Sequence, residues 1–482
     1  MNKIHSVIYL FILISAVSCT KKAIDTDVAS QIENYVKEEI LIQEIPGLAL
    51  GVIKNGAVVY KGYFGKTDWN NTNPVNEDTT FPVYSITKLI VSTAIFQLVE
   101  ENRISLEDSI SSYLKNLPEH WENIQVKHLL THSSGLPDFH VNEGNISDED
   151  IWIKLINEGM HFEKGYQFEY NQTNYWLLAQ IIETITGKPF EKIVLTNQFQ
   201  NSERGVFFSS DLSKEVDNGA KRHEYNNEKG EYNISKIYGG KRYHAANGLN
   251  ITLNELIEWN SLLDNNELLS SEQKRDMWKS FQYGNQQDEF LHGWHVYKLN
   301  GVQSFGFTGG SQTGFRKFVD RDLTIIILTN GYKYFSPHND IINRVAGIMD
   351  SSLVYELAKV QHEIISNFFL NDFEVAAANF QMLKKKYPES EADKNTSYSF
   401  ENTLNAIGYL LKQKKKLTQA IKVFELNTEE NPTSANCFDS LAEAYYTDNQ
   451  LNNAKKAYEM VLALNPSNSN AKEMIKVIEE KI

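Results

Sequence analysis

Two cysteines in 482 residues leave no material for a disulfide framework. Cationic charge is also scarce: 47 Lys and Arg stand against 62 Asp and Glu, a net charge of −15. A nucleic-acid-binding surface needs concentrated Lys and Arg, so this balance disfavours such a partner. A membrane-length apolar run is missing as well. The longest candidate, Val7 to Val17, is too short to span a bilayer.

That short run still carries information. It follows Lys3 and is followed by small residues, the pattern of an export signal over 1–18. Cys19 falls where such a leader is cut. "AVSC" resembles a bacterial lipoprotein cleavage box, with Ala16 where Leu is usual. The expectation is an exported chain, lipidated at Cys19 and held at a membrane facing the periplasm or cell exterior. A plain signal peptide is the simpler alternative. Residues 19–44 read as a stalk and first helix.

Hydrophobic residues make up 41% and charged residues 23%, an ordinary globular composition. The length suits two or three domains. "PGLALGVIKNGAVVYKGYFG" alternates two β-prone runs around Asn55-Gly56, a hairpin signal. Apolar spacing predicts one helix from about Ser85 to Glu101 and another from about Asn174 to Thr186. Far downstream, "GVQSFGF", "GFRKFVD" and "LTIIILTN" read as strands. Strands at both ends with helices between predict an α+β domain over 45–350: an antiparallel sheet flanked by helices, plus an all-helical region.

From about Ser351 the strand signals disappear. Leu404, Ile407, Gly408, Leu411, Ala420, Phe424 and Pro432 recur 34 positions on as Phe438, Leu441, Ala442, Tyr445, Ala454, Tyr458 and Pro466. A weaker copy ends at Ala376, Phe380 and Pro388. Spacing, small residues and terminal Pro resemble the tetratricopeptide repeat. Residues 351–482 are thus expected to form an all-α repeat domain. It serves either as a protein-binding groove or as a packing appendage.

"FPVYSITKLIV" places Ser85 three residues before Lys88. The pattern alone is weak, since Ser-x-x-Lys occurs five times, also at Ser18, Ser112, Ser271 and Ser469. At a helix start, residues i and i+3 share a face. The helix N-terminus favours an ionised Ser oxygen and disfavours a charged Lys, and burial pushes the amine the same way. Helix capping with a solvated Lys is the plain alternative.

Three further phrases decide between them: "VKHLLTHSSGLP", "FEYNQTNYWLLAQIIETITGKPF" and "GFTGGSQTGF". With "AANGLNITLNELIEW" and "HGWHV", they resemble in order and spacing the class C β-lactamase family of serine hydrolases. That family includes penicillin-binding proteins, D-alanyl-D-alanine peptidases and esterases, and the resemblance runs from about Ile45 to Met349. It implies Ser85 as nucleophile, with Lys88 and Tyr170 sharing proton transfer; which of them takes the first proton stays open. It implies an oxyanion hole from the backbone N–H groups of Ser85 and Gly310, a substrate wall of Gln172, Phe307, Thr308 and Gly309, and no metal or cofactor. Two residues depart from the family pattern. Gln172 stands where Asn is usual and keeps the amide chemistry. Phe307 replaces a Lys or His that helps bind a substrate carboxylate. A dedicated β-lactamase is therefore disfavoured against an esterase or D-Ala-D-Ala-type peptidase acting on a small ester, amide or peptide. Arg316 offers a substitute cation, or else is a solvated strand residue. His132 reads as structural, and Tyr84 and Trp294 as pocket or core. The competing function is a catalytically weak or inactive ligand-binding lipoprotein whose repeats recruit a protein partner.

Overall fold

The computed structural model describes residues 26–140, 145–199, 202, 205–226, 229–286, 290–334, 336–390, 393–396 and 398–482. The expected leader and Cys19 lie outside the described residues. Helix α1 (Thr26–Gln43) leads into strand β1 (Gly47–Lys54), which returns as β2 (Ala57–Gly65). The turn falls at Asn55-Gly56, with φ of 51° and 70°. Positive φ at both centres is what a two-residue hairpin needs to match strand twist.

Helices α2 (Thr87–Glu100), α3 (Gln172–Thr186) and α4 (Leu253–Asp264) come from the long middle segment. Strands β3 (His295–Leu299), β4 (Val302–Gly309), β5 (Thr313–Phe318) and β6 (Leu323–Thr329) follow, then α5 (His338–Met349). The strands form one six-stranded sheet in the order β2-β1-β6-β5-β4-β3. β6 runs antiparallel to β1, from Leu48 opposite Thr329 to Lys54 opposite Leu323. The sheet is closed by both ends of the domain, as expected.

Side-chain alternation splits the core into two layers. Ile325 and Ile327 of β6 join Leu48, Leu50 and Val52 against Ile32 and Val36 of α1 and Ile341, Ile342 and Val345 of α5. Ile326 and Leu328 point the other way, into a larger core holding Trp259, Phe307 and Phe315. Because both faces are covered, β6 carries a continuous apolar run and every residue in it is buried.

The nucleophile segment differs slightly from its predicted form. A single 3₁₀ turn, Tyr84–Ile86, precedes α2 instead of one continuous helix. Helix α3 starts at Gln172, two residues before the expected Asn174. Asn171 makes the difference: its side chain accepts the Asn174 N–H at 3.0 Å and caps the helix. Gly187, with φ of 68°, ends it. Tyr225 lies in a second hairpin, His223–Asn226 paired with Glu231–Ile234. Its ring packs 5.2 Å from Tyr232.

The repeat region comprises α6 (Glu356–Leu370), α7 (Phe373–Lys386), α8 (Phe400–Gln413), α9 (Leu417–Glu430), α10 (Ala435–Thr447), α11 (Leu451–Leu464) and α12 (Ser469–Glu479). Gly408 shows why a small residue recurs: a Cβ there would lie 2.4 Å from the Phe424 ring. Among the described residues, no helix is long and apolar enough to cross a membrane.

The repeats dock on the layer formed by α1. His362 sits between Glu38 and Glu39, 3.0 Å from each. Burial works against its charge, but the two carboxylates outweigh that and raise its pKa to about 9. A second tie forms at Glu44, which meets Lys333 at 2.9 Å and Lys414 of the repeats at 3.0 Å. Burial opposes ionisation of Glu44, yet the two ammonium groups prevail and hold its carboxyl below the usual range. A depressed carboxyl stabilises the fold above its unfolded pKa, and that gain is lost as pH falls through the folded value. Glu44→Gln is therefore expected to lower stability by roughly 1 kcal/mol near neutral pH. Denaturant midpoints measured at several pH values should show this gap closing as pH falls below the usual carboxylate range. A gap undiminished in acid would reject the ion-pair account.

Candidate active site

The fold delivers Ser85 to the meeting point of the sheet and the helical region. Strand β4 ends in Gly309, and the next residue is Gly310. A Cβ on Gly309 would stand 2.1 Å from the Val83 carbonyl oxygen, and one on Gly310 would stand 2.7 Å from the Tyr84 ring. Gly310 also has φ of 54°. Both positions need glycine so that the β4–β5 turn can press against the turn carrying Ser85. Thr313 fastens the contact, its hydroxyl donating to the carbonyls of Val83 and Gly309, each at 3.2 Å. Ser85 and Gly310 then line one cavity of about 470 Å³.

Tyr170 approaches from the segment before α3, and its hydroxyl donates to Ser85 Oγ at 2.7 Å. The ring is 37% exposed on one side. On the other it packs over His132 at 4.6 Å and beside Phe307 at 6.1 Å. Desolvation by these neighbours raises the phenol well above its ordinary value, so Tyr170 keeps its proton at neutral pH.

Lys88 is fully buried. Its Nζ donates to Gln172 Oε1 at 3.1 Å and to the Ala246 carbonyl at 2.8 Å. The rings of Tyr170 and Tyr175 lie 4.7 Å and 5.0 Å away. Burial lowers its pKa to about 7, with the more distant Asp138 charge opposing. A neutral amine has two N–H groups and one lone pair. Two acceptors engage the two N–H groups and leave the lone pair to take a proton. The other described Ser-x-x-Lys pairs offer nothing similar. Lys115 and Lys472 are exposed, and Lys274 donates to the carbonyls of Leu263 and Asp264 near the end of α4.

Gln172 thus serves to hold Lys88, while its own backbone N–H donates to Asp138 Oδ1 at 2.8 Å. Thr173 N–H donates to the same oxygen at 3.1 Å. Asp138 was not singled out from the sequence; it follows directly on "THSSGLP" and caps α3. Burial raises its carboxyl pKa against these hydrogen bonds.

Phe307 is 6% exposed and packs 6.0 Å from Phe290 as well as beside Tyr170. No charge stands where that ring sits. Thr308 is half-buried and, like Phe307, does not line the cavity. Arg316 is placed differently from both expectations. It pairs across the sheet with Gly306 and Ile325, so its side chain leaves on the α5 face. There it is 2% exposed, donates to Asn339 Oδ1 at 2.7 Å and lies 3.4 Å over the Tyr297 ring. It neither reaches the cavity nor meets solvent.

His132 is buried and its Nδ1 accepts the Asn171 N–H at 3.1 Å. Burial, with Lys88 nearby, holds the ring well below its ordinary pKa, so it is a neutral platform under Tyr170. Trp294 is core, stacked on Trp259 at 6.4 Å. Tyr84 lines the cavity. Arg222 lines it too and went unnoticed in the sequence, because no motif surrounds it.

Comparison with known proteins places this geometry. A beta-lactamase family model matches residues 28–346, and a tetratricopeptide repeat model matches 355–390. The repeat match falls on the copy that reads as weaker in the sequence. The protein PbpX of Bacillus subtilis (strain 168) is 32% identical over 170 residues, which is 35% of this chain and 42% of that protein. The chain therefore spans under half the length of this curated relative. An octameric penicillin-binding protein homologue from Pyrococcus abyssi superposes with a TM-score of 0.59 at 21% identity, covering 70% of this chain and 81% of the other. D-amino acid amidase from Ochrobactrum anthropi SV3 gives 0.59 at 19% identity, covering 68% and 100%. At these identities the superpositions speak for the fold alone. The family-model match covers most of the sheet-and-helix domain, from α1 to near the end of α5. The chain belongs to the beta-lactamase family of serine hydrolases and carries a tetratricopeptide-type helical region behind that domain.

Proposed function

We propose that this chain hydrolyses a small ester or amide through an acyl-enzyme on Ser85. The carrying observation is the Tyr170 hydroxyl 2.7 Å from Ser85 Oγ, beside a buried Lys88 whose pKa is lowered to about 7. Tyr170 is too weak an acid to begin as a phenolate, so Lys88 is the base. The two hydroxyls first rotate so that Ser85 donates to Tyr170 and Tyr170 to Lys88; the Ser85 proton then moves to the Tyr170 oxygen as the Tyr170 proton moves to Lys88. Ser85 Oγ bonds to the substrate carbonyl carbon, and the N–H groups of Ser85 and Gly310 stabilise the oxyanion. Collapse breaks the bond to the leaving group, which takes a proton from Tyr170 as Lys88 returns one. Water repeats the sequence and releases the acid. Loss of one oxyanion donor costs on the order of 10²–10³ in rate.

Phe307, packed beside Tyr170, puts an uncharged ring where the family carries a cation, which favours a leaving group without a carboxylate. An esterase or amidase activity fits such a site better than a dedicated β-lactamase. We further propose export and lipidation at Cys19, on the strength of the leader pattern. Radiolabelled palmitate should enter the protein in a bacterial host and be lost in Cys19→Ala; equal labelling of both would reject this anchor.

A fluorophosphonate probe should add one adduct to the purified protein, absent in Ser85→Ala, and a simple aryl ester should be hydrolysed only by the unmodified chain. Absence of both adduct and hydrolysis would sink the hydrolase reading. Because the base must be neutral, kcat/KM for a neutral ester should rise with pH through about 7, as Lys88 loses its proton. A profile flat between about pH 5.5 and 8.5 would remove Lys88 from the base role.

A further inference from the structure

The cavity beside Ser85 is oriented by its own lining. It includes Ser85 and Gly310, whose N–H groups face the reacting carbonyl in the proposed mechanism, but neither Tyr170 nor Lys88. The leaving group must sit where Tyr170 can protonate it. The cavity therefore receives the other half of the substrate, the acyl part.

Arg222 is the one Lys or Arg among the lining residues. Its guanidinium lies 5.0 Å over the ring of Tyr84, the residue just before Ser85. Its Nε donates to Glu224 Oε1 at 3.0 Å. That bond engages one of the five N–H groups of a guanidinium, and the Tyr84 hydroxyl draws on another, which leaves donors for a further anion. Arg222 is 20% exposed and Glu224 51%, so the carboxylate covers the solvent side of the pair.

The backbone here is fixed. Ala220 N–H donates to Thr80 O at 2.8 Å, Lys221 N–H to Thr67 O at 2.9 Å and His223 N–H to Asn330 O at 2.7 Å. Asp138, also in the lining, is committed to the amides that begin α3. Leu212 and Ile237 of the same lining supply apolar surface suited to an aliphatic chain.

We propose that Arg222 anchors a carboxylate at the far end of the acyl part, which makes the enzyme selective for ester or amide substrates whose acyl chain ends in an anion. This rests on the hydrolase reading above. The cation absent from position 307 on β4 is thus supplied from another element, and on the acyl side of the scissile bond.

The test compares two 4-nitrophenyl esters, one of N-glutarylglycine and one of the same acid with its terminal carboxylate replaced by a primary amide. The chain should prefer the carboxylate ester in kcat/KM by roughly tenfold or more at low salt. Arg222→Gln should bring that ratio close to one. Glu224→Gln, which removes the competing carboxylate, should widen it. An unmodified chain without preference, or an Arg222→Gln variant that slows both esters equally, would overturn the proposal. If neither ester is cleaved and no fluorophosphonate adduct forms, the hydrolase reading fails by itself. Calorimetric titration with N-glutarylglycine then decides on the anion site: binding weakened about tenfold in Arg222→Gln upholds it, and equal or absent binding refutes it.

Discussion

An amine buried without a carboxylate in contact is the constraint around which this domain is arranged. Lys88 meets two neutral acceptors and two aromatic faces, and Asp138 acts on it only through space. Taking a charge out of water with such weak compensation is costly, and the group responds by giving up its proton. A salt bridge there would restore the charge and remove the neutral amine that the proposed mechanism needs. Gln172 fits this requirement, since its amide oxygen orients the amine without a formal charge. The phenol and imidazole beside it follow the same rule. Tyr170, desolvated on the side that packs over His132, is kept protonated, and the fully buried His132 is kept neutral. One low-dielectric pocket thus sets three protonation states together.

Much of this was legible in the sequence because it is local. Asn55-Gly56 marks its own hairpin, and Ser85 and Lys88 are separated by a fixed helical offset. The largely apolar "LTIIIL" marks a strand covered on both faces. What was not legible depends on register between strands. Arg316 follows Phe315, and Phe315 pairs with Phe307, so Arg316 must leave on the opposite face from the Phe307 ring. The length and form of the β4–β5 turn fix that pairing, and a one-residue slip would invert it. Arg222 escaped for a different reason. It belongs to no motif, and it joins the cavity lined by Ser85 because Ala220, Lys221 and His223 are bonded to Thr80, Thr67 and Asn330, segments far apart in the chain.

The sheet also explains why the helical region is not a loose appendage. Its first helix, α6, meets α1 through His362, and α1 in turn packs on the sheet face opposite Ser85. Ion pairs of this kind contribute modestly each, because the desolvation they require offsets much of their attraction. Their arrangement defines geometry more than it adds stability. His362 between two glutamates is matched only in one position of α6 along α1.

The Glu44 node extends that geometry toward the cavity. Its carboxylate binds Lys414 of the repeats, and Lys333 and Tyr334 from the segment after β6. Its backbone carbonyl accepts the Tyr232 hydroxyl at 2.6 Å, and Tyr232 belongs to the hairpin that begins at His223. Arg222 immediately precedes that hairpin, and its carbonyl accepts the Ser235 N–H at 2.9 Å from the hairpin's far end. A continuous set of contacts therefore runs from the repeats, through Glu44, to the wall of the Ser85 cavity. Among the described residues these contacts lead to the cavity wall at Arg222, the side proposed to hold the acyl part. In this molecule the chemistry is set by burial inside the helical half, while the shape of the binding cavity depends on a hairpin held in place from outside.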